Sequence, residues 1–172
     1  MTDIENFISN EEAAIIRDCI LENEPKIKKL GPDLYPGTSD DSLSGRWTVY
    51  NWLTNETIGP ILIPRLTKLF PNKWIRMWSN VFRRDEGIKA HWHDLQDRTS
   101  GNLYIAGPEK STTCYYGIGH VPNKVGCLTY FPSNVVHWVI PSQSDIPRVS
   151  MAFDTIEFKQ SHVHLLLKTQ DD

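Results

Sequence analysis

His91 and His93 stand two residues apart in IKAHWHDLQD, with Asp94 and Asp97 close behind. On a β-strand, positions i and i+2 project from one face, so two such imidazoles can share a metal ion. A later segment, GCLTYFPSNVVHWVIP, carries His137 just after a Pro-Ser-Asn turn. The next, PRVSMAF, sets Arg148 and Ser150 on a common face. An arginine in an apolar strand is expensive to bury unless it meets an anion, and its rigid fork of donors matches a carboxylate. Two histidines, a third histidine and an inward arginine describe a metal site with an acidic small molecule beside it.

The remaining histidines carry less. His162 and His164 form a second H-x-H pair, SHVHLL, with no further ligand candidate after them, and read as an edge-strand or surface feature. His120, in GIGHVPNK, reads as a residue of an exposed turn. Trp92 and Trp138, each beside a candidate ligand, are expected to face away from it into the core.

Elements to position these residues can be read along the chain. SNEEAAIIRDCILENE offers Ser9 or Asn10 as an N-cap, acids in the first turn and an apolar stripe of Ala14, Ile15, Ile16, Cys19 and Ile20. KKLGPDLYPGTSDDSLSG reads as a long loop, and residues 31–45 within it are a candidate for contact with substrate, together with GRWTVYNWL. TIGPILIPRLTKLF predicts a second helix, with Pro60 in its first turn and Pro64 kinking or restarting it. From Lys73 the texture changes. KWIRMWSNVFRR alternates Trp74, Arg76, Trp78 and Asn80 against Ile75, Met77, Ser79 and Val81. Short strand-like segments follow to RVSMAFDTIEF, separated by turn signals such as VPNK and PSQSDIP. Helices followed by some seven short strands predict a mainly β, α+β chain: an antiparallel barrel or sandwich with helices on one side. One domain is expected over residues 1–172, with helical support and loop over 1–72 and a β core over 73–160.

Composition bounds the function. The chain has 172 residues, 40% hydrophobic and 23% charged, ordinary values for a globular protein. A net charge of −3 and the lack of a basic cluster argue against nucleic acid as a partner. No apolar stretch is long enough to span a bilayer, and MTDIENFISNEEAA lacks the features of a signal peptide. Cys19, Cys114 and Cys127 form neither a disulfide framework nor a zinc ribbon, and read as reduced thiols of a cytoplasmic protein.

Between Trp74 and Phe153 the chain resembles the iron(II)/2-oxoglutarate-dependent oxygenases, in particular small phage and bacterial members related to prolyl hydroxylases. WSN, HWH, SGNLYI, GCLTYFPSNVVH and RVSMAF follow in order the patterns W-x-N, H-x-H, S-G-x-x-Y-[LI], G-x-L-x-x-F-P-S-x-x-x-H and R-x-S of that group. The resemblance implies a double-stranded β-helix, iron(II), 2-oxoglutarate as cosubstrate and dioxygen. It implies hydroxylation of an unactivated C–H bond, with release of succinate and carbon dioxide, on a prolyl or other amino-acid residue or a small molecule. It makes His91 and His137 iron ligands. Arg148 and Ser150 would hold the distal carboxylate of 2-oxoglutarate, Tyr104 would hydrogen-bond that carboxylate, and Asn80 and Trp78 would line the pocket. The broad superfamily has H-x-[D/E], two imidazoles and a carboxylate. Here His93 occupies the carboxylate's place, as in the smaller H-x-H families, and is the expected third ligand. Asp94, swung inward by a bulge, is the reserve.

Two other readings remain open. A cupin also presents H-x-H, a following acid (Asp97 by offset) and a distant histidine, but has no need of R-x-S. A non-catalytic jelly-roll binding module would use the histidines and tryptophans only for packing and recognition. Substrate identity and oligomeric state are not legible.

Overall fold

In a computed structural model of the chain, residues 1–27, 51–93, 98–156 and 167–168 are described. The loop at 31–45, most of GRWTVYNWL, Asp94, Asp97 and the His162/His164 pair lie outside them. The chain opens with β1 (Thr2–Ile4), α1 (Asn10–Ile27), a 3-10 turn at Trp52–Thr54 and α2 (Gly59–Leu69). The strands β2 (Trp74–Phe82), β3 (Ile88–His91), β4 (Thr99–Ala106), β5 (Thr112–Tyr115) and β6 (Gly119–Pro122) follow. After them come β7 (Leu128–Pro132), β8 (His137–Val139), β9 (Arg148–Ile156) and β10 (Leu167–Lys168). A six-stranded sheet runs β1-β7-β4-β9-β2-β10 and a four-stranded sheet runs β3-β8-β5-β6. Their ladders are antiparallel. This is the expected double-stranded β-helix, with the helices on the outer face of the larger sheet.

Local chemistry explains the helices. Ser9 Oγ accepts from the Glu12 N–H at 3.2 Å, and Glu12 accepts from the Ser9 N–H at 2.9 Å, a reciprocal capping box that starts α1. Ala13, Ile16, Ile20 and Ile27 are its buried stripe. Of the two outcomes expected at Pro64 the restart does not occur: α2 runs through Pro64 as one element, from Pro60 in its first turn to Lys68 in its last. Only one intrahelical hydrogen bond is forfeited at Pro64, and burial of Leu62 and Leu66 on either side outweighs it.

The alternation of β2 is realised on two buried faces. Ile75, Met77 and Val81 join Val149, Met151 and Phe153 of β9 and Leu103 and Ile105 of β4 in the core beneath the helices. The even-numbered residues of β2, β4 and β9 face the other way. Register sets them in rows across three strands: Asn80 beside Ser150 beside Tyr104, then Trp78 beside Ala152 beside Asn102, then Arg76 beside Asp154 beside Ser100.

On the helix-covered face, Gly101 pairs with Phe153, and a Cβ built on Gly101 would overlap the Phe153 ring. Phe153 is fully buried and has no free space into which to retreat. Gly101→Ala should therefore destabilise the fold by about 1–3 kcal/mol, read as a lower urea midpoint at unchanged slope. An unchanged midpoint would show that the two sheet positions are not in contact.

Candidate metal centre

His91 ends β3 and stands directly opposite His137, the first residue of β8. His93 corrects the sequence reading: β3 stops at His91, so simple alternation does not aim His93. Its place is fixed instead by its backbone N–H, which donates to the Ser133 carbonyl at 2.9 Å, in the turn just before His137. The three rings nevertheless converge, with centroids 4.3 Å apart for His91 and His137, 5.3 Å for His93 and His137, and 5.5 Å for His91 and His93. One nitrogen from each lies within 4.8 Å of the others, a grouping that could hold a metal ion.

Hydrogen bonding decides which nitrogens are free. His91 Nδ1 lies 2.8 Å from the Lys89 carbonyl, and His137 Nδ1 lies 2.9 Å from the Val135 carbonyl. A carbonyl only accepts, so both Nδ1 atoms carry hydrogen. His93 Nδ1 lies 2.6 Å from Oδ1 of Asp154. Burial tends to raise the Asp154 carboxyl's pKa, but His93, Arg76 and Ser100 overcome it and hold it down at about 2. The carboxylate is thus ionised, and His93 Nδ1 is its donor. All three rings leave Nε2 lone pairs for a metal.

Burial also keeps His91 and His137 in the ligating form. It presses the His137 pKa down to about 3, helped by His91, and lowers that of His91 as well. Three imidazole donors suit a borderline transition metal ion, so the donor set fits iron(II). Trp78, Tyr115, Phe131 and Val139 line the same cleft and limit water.

Arg148 lines the same cleft. It is buried, donating from Nη1 to Ser150 Oγ at 2.9 Å and from Nη2 to Thr113 Oγ1 at 3.0 Å. Its Nε has no partner, and among the described residues no carboxylate pairs with it. Burial pushes the guanidinium down to about 10, partly offset by the Tyr104 and Tyr115 phenols. Its charge lies 5.6 Å from the centre of the Tyr104 ring and 5.7 Å from that of Phe82. Burial raises the Tyr104 phenol's pKa, partly offset by Ser111 and by Arg148. A buried, charged donor without an acceptor is the kind of group that an anion would satisfy.

Of the residues singled out in the sequence, His91, His93, His137, Arg148, Ser150 and Asn80 meet around this cleft, and Tyr104 stands against Arg148 and beside Ser150. Trp92 departs from expectation: it is 59% exposed, because its residue lies past the end of β3 and the ladder no longer turns it inward. Trp138 is half-buried. His120 lies on β6 rather than in a turn, exposed as expected. Sequence reading missed Asp154, Ser100 and Arg76. Oδ1 of Asp154 accepts from His93 and from Ser100 Oγ, each at 2.6 Å, and Oδ2 accepts from Arg76 Nε at 3.0 Å and Nη2 at 2.6 Å. The signal was present, since Asp154 continues the spacing Arg148, Ser150, Ala152 along β9.

No protein-family model matches the chain, and no curated protein matches it in sequence. Solved structures do match in fold. A prolyl-4-hydroxylase from Pseudomonas putida superposes with a TM-score of 0.63 at 14% identity, covering 92% of each chain. A viral collagen prolyl hydroxylase from Paramecium bursaria chlorella virus 1, solved with 2-oxoglutarate, gives 0.57 at 16% identity over 90% of this chain and 94% of that one. The non-heme α-ketoglutarate-dependent epimerase SnoN of nogalamycin biosynthesis gives 0.65 at 10% identity over 91% and 77%. The fold of this chain is that of the non-heme 2-oxoglutarate-dependent oxygenases.

Proposed function

We propose that this chain is an iron(II)- and 2-oxoglutarate-dependent dioxygenase that hydroxylates an unactivated C–H bond of a small molecule or peptide. The observation that carries this reading is the pairing, in one cleft, of three free imidazole nitrogens with a buried guanidinium that has no carboxylate partner among the described residues. A metal site alone requires no such cation, and a structural arginine would have its own acid.

Each residue then has a task. Nε2 atoms of His91, His93 and His137 bind the metal, with their Nδ1 hydrogens committed to Lys89, Asp154 and Val135. Arg148 fixes the far carboxylate of the 2-oxo acid, with Ser150 holding one guanidinium nitrogen and the Tyr104 ring beside the charge. Asn80 borders the same space, and Trp78, Tyr115 and Phe131 exclude bulk water. When bound, iron(II) and 2-oxoglutarate supply the oxygen chemistry, giving succinate, carbon dioxide and a hydroxylated product.

Anaerobic addition of iron(II) and 2-oxoglutarate should produce a weak visible charge-transfer band, and admission of oxygen should convert 2-oxoglutarate to succinate. Iron bound tightly with neither the band nor succinate would sink the reading.

A further inference from the structure

Resting on the reading that the three histidines hold a divalent metal, we infer that Asp154 is a positioning residue of that centre. Its carboxylate, placed behind His93, takes over the part that a directly ligating carboxylate plays in H-x-[D/E] sites.

The three histidines are not held alike. His91 and His137 donate to carbonyls two residues upstream, Lys89 within β3 and Val135 in the turn that leads into β8, so each ring is fixed by its own local segment. His93 lies beyond the end of β3 and has no strand of its own to orient it. Its ring is anchored across the barrel, to β9, through Asp154. An imidazole that donates to a carboxylate is a more basic ligand than one that donates to a carbonyl. His93 is therefore the most strongly donating of the three, and it occupies the sequence position where H-x-[D/E] places an acid.

The anchor is built for one geometry. Asp154 is 0% exposed, and both its oxygens are engaged. Arg76 takes Oδ2 with two donors, which leaves Oδ1 facing Ser100 and His93. In-register pairing of Arg76, Asp154 and Ser100 across β2, β9 and β4 puts all three on the site-facing side. An ion pair serving packing alone would be complete with Arg76 and Asp154, and burying it would contribute little. The extra contact to a candidate ligand is what packing does not explain.

The test uses the full chain and cobalt(II), whose visible absorption reports the ligand field without turnover. Asp154→Asn keeps the shape and an acceptor for His93 but removes the charge. Because it leaves Arg76 facing a neutral amide, Asp154→Ala combined with Arg76→Met serves as the second variant, with neither charge buried. Both should keep the native circular dichroism, bind cobalt(II) about 10–100-fold more weakly and shift its absorption, the double variant more than the single. Affinity within twofold of the native chain and an unshifted spectrum in either folded variant would overturn the inference. Native protein that binds no cobalt(II) would overturn both this inference and the proposed function. Native protein that binds cobalt(II), with the variants weakened as stated, but turns over no 2-oxoglutarate with iron, would remove the oxygenase reading and leave Asp154's role standing.

Discussion

His137→Phe should abolish useful metal binding while leaving the barrel folded. The ring sits 5.0 Å from Phe131 and 6.2 Å from Tyr115, centre to centre, an aromatic setting that accepts a phenyl group of similar size. What disappears is one of three converging nitrogens, a larger loss than any change behind the ligands, so affinity should fall by about 100-fold or more. The same variant should alter acid sensitivity in the metal-free protein. Folded His137 protonates only near pH 3, whereas in the unfolded chain an imidazole does so near its ordinary 6.5. Between those values the unfolded state binds the extra proton, so stability is complete above pH 6.5 and declines as pH falls toward 3. Asp154, held at about 2, adds to the decline below its ordinary 3.8, because its stabilisation requires the carboxylate to be ionised. Urea midpoints of the native chain should therefore drop steadily below pH 6.5, and those of His137→Phe should drop less steeply down to about pH 4, where Asp154 takes over. Parallel curves for the two proteins would show that His137 is not held neutral by burial.

What could be read from the sequence, and what could not, follows from how each residue is held. Strand alternation is a local property, so the faces of β2 and β9 were legible, and with them Arg148, Ser150 and Asn80 on the site side. His91 and His137 were legible because each is oriented by a carbonyl only two residues upstream. His93 was identified for an incomplete reason. Its placement depends on Ser133, forty residues on, and on Asp154, sixty-one residues on, contacts that no local period encodes. Trp92 was misread on the same ground, since a strand that ends one residue early frees the next side chain to solvent. Asp154 is an acid in a largely apolar strand, and nothing near it in the sequence names its partner. Only the register between β2 and β9 brings Arg76 alongside it, and pairing register is a property of the assembled sheet. The helices show the converse. The cap of α1 is local and was read well, but its stripe was drawn too wide, since Ile15 is 49% exposed and Ala13 is buried in its stead. Pro64 does not restart α2, because tertiary burial of Leu62 and Leu66 outweighs the break that a proline favours.

Arg148→Met should make the ligand-free protein more stable and its ligand response vanish. Buried and without a carboxylate partner among the described residues, the native guanidinium holds only the Ser150 and Thr113 hydroxyls, and its Nε is unsatisfied. A methionine of comparable length removes that desolvated charge and packs against the Phe82 and Tyr104 rings. Stability should rise by about 1–3 kcal/mol, as when buried charge is exchanged for well-packed apolar volume. The response to 2-oxoglutarate should move the other way. With manganese(II) in place of iron, ligand at a hundredfold excess over its dissociation constant stabilises the native chain by about 2.7 kcal/mol, and the thermal midpoint rises accordingly. In Arg148→Met that rise should be lost, and in Arg148→Lys it should be small, because a point charge does not reproduce the two-pronged contact. A methionine variant that keeps the ligand-induced rise would remove Arg148 from cosubstrate binding. One that is destabilised instead would make the arginine a structural residue whose hydroxyl contacts repay its burial. Gain of stability with loss of response is the combination that only an anion receptor produces: the fold carries the strain of an uncompensated charge, and the carboxylate relieves it on binding.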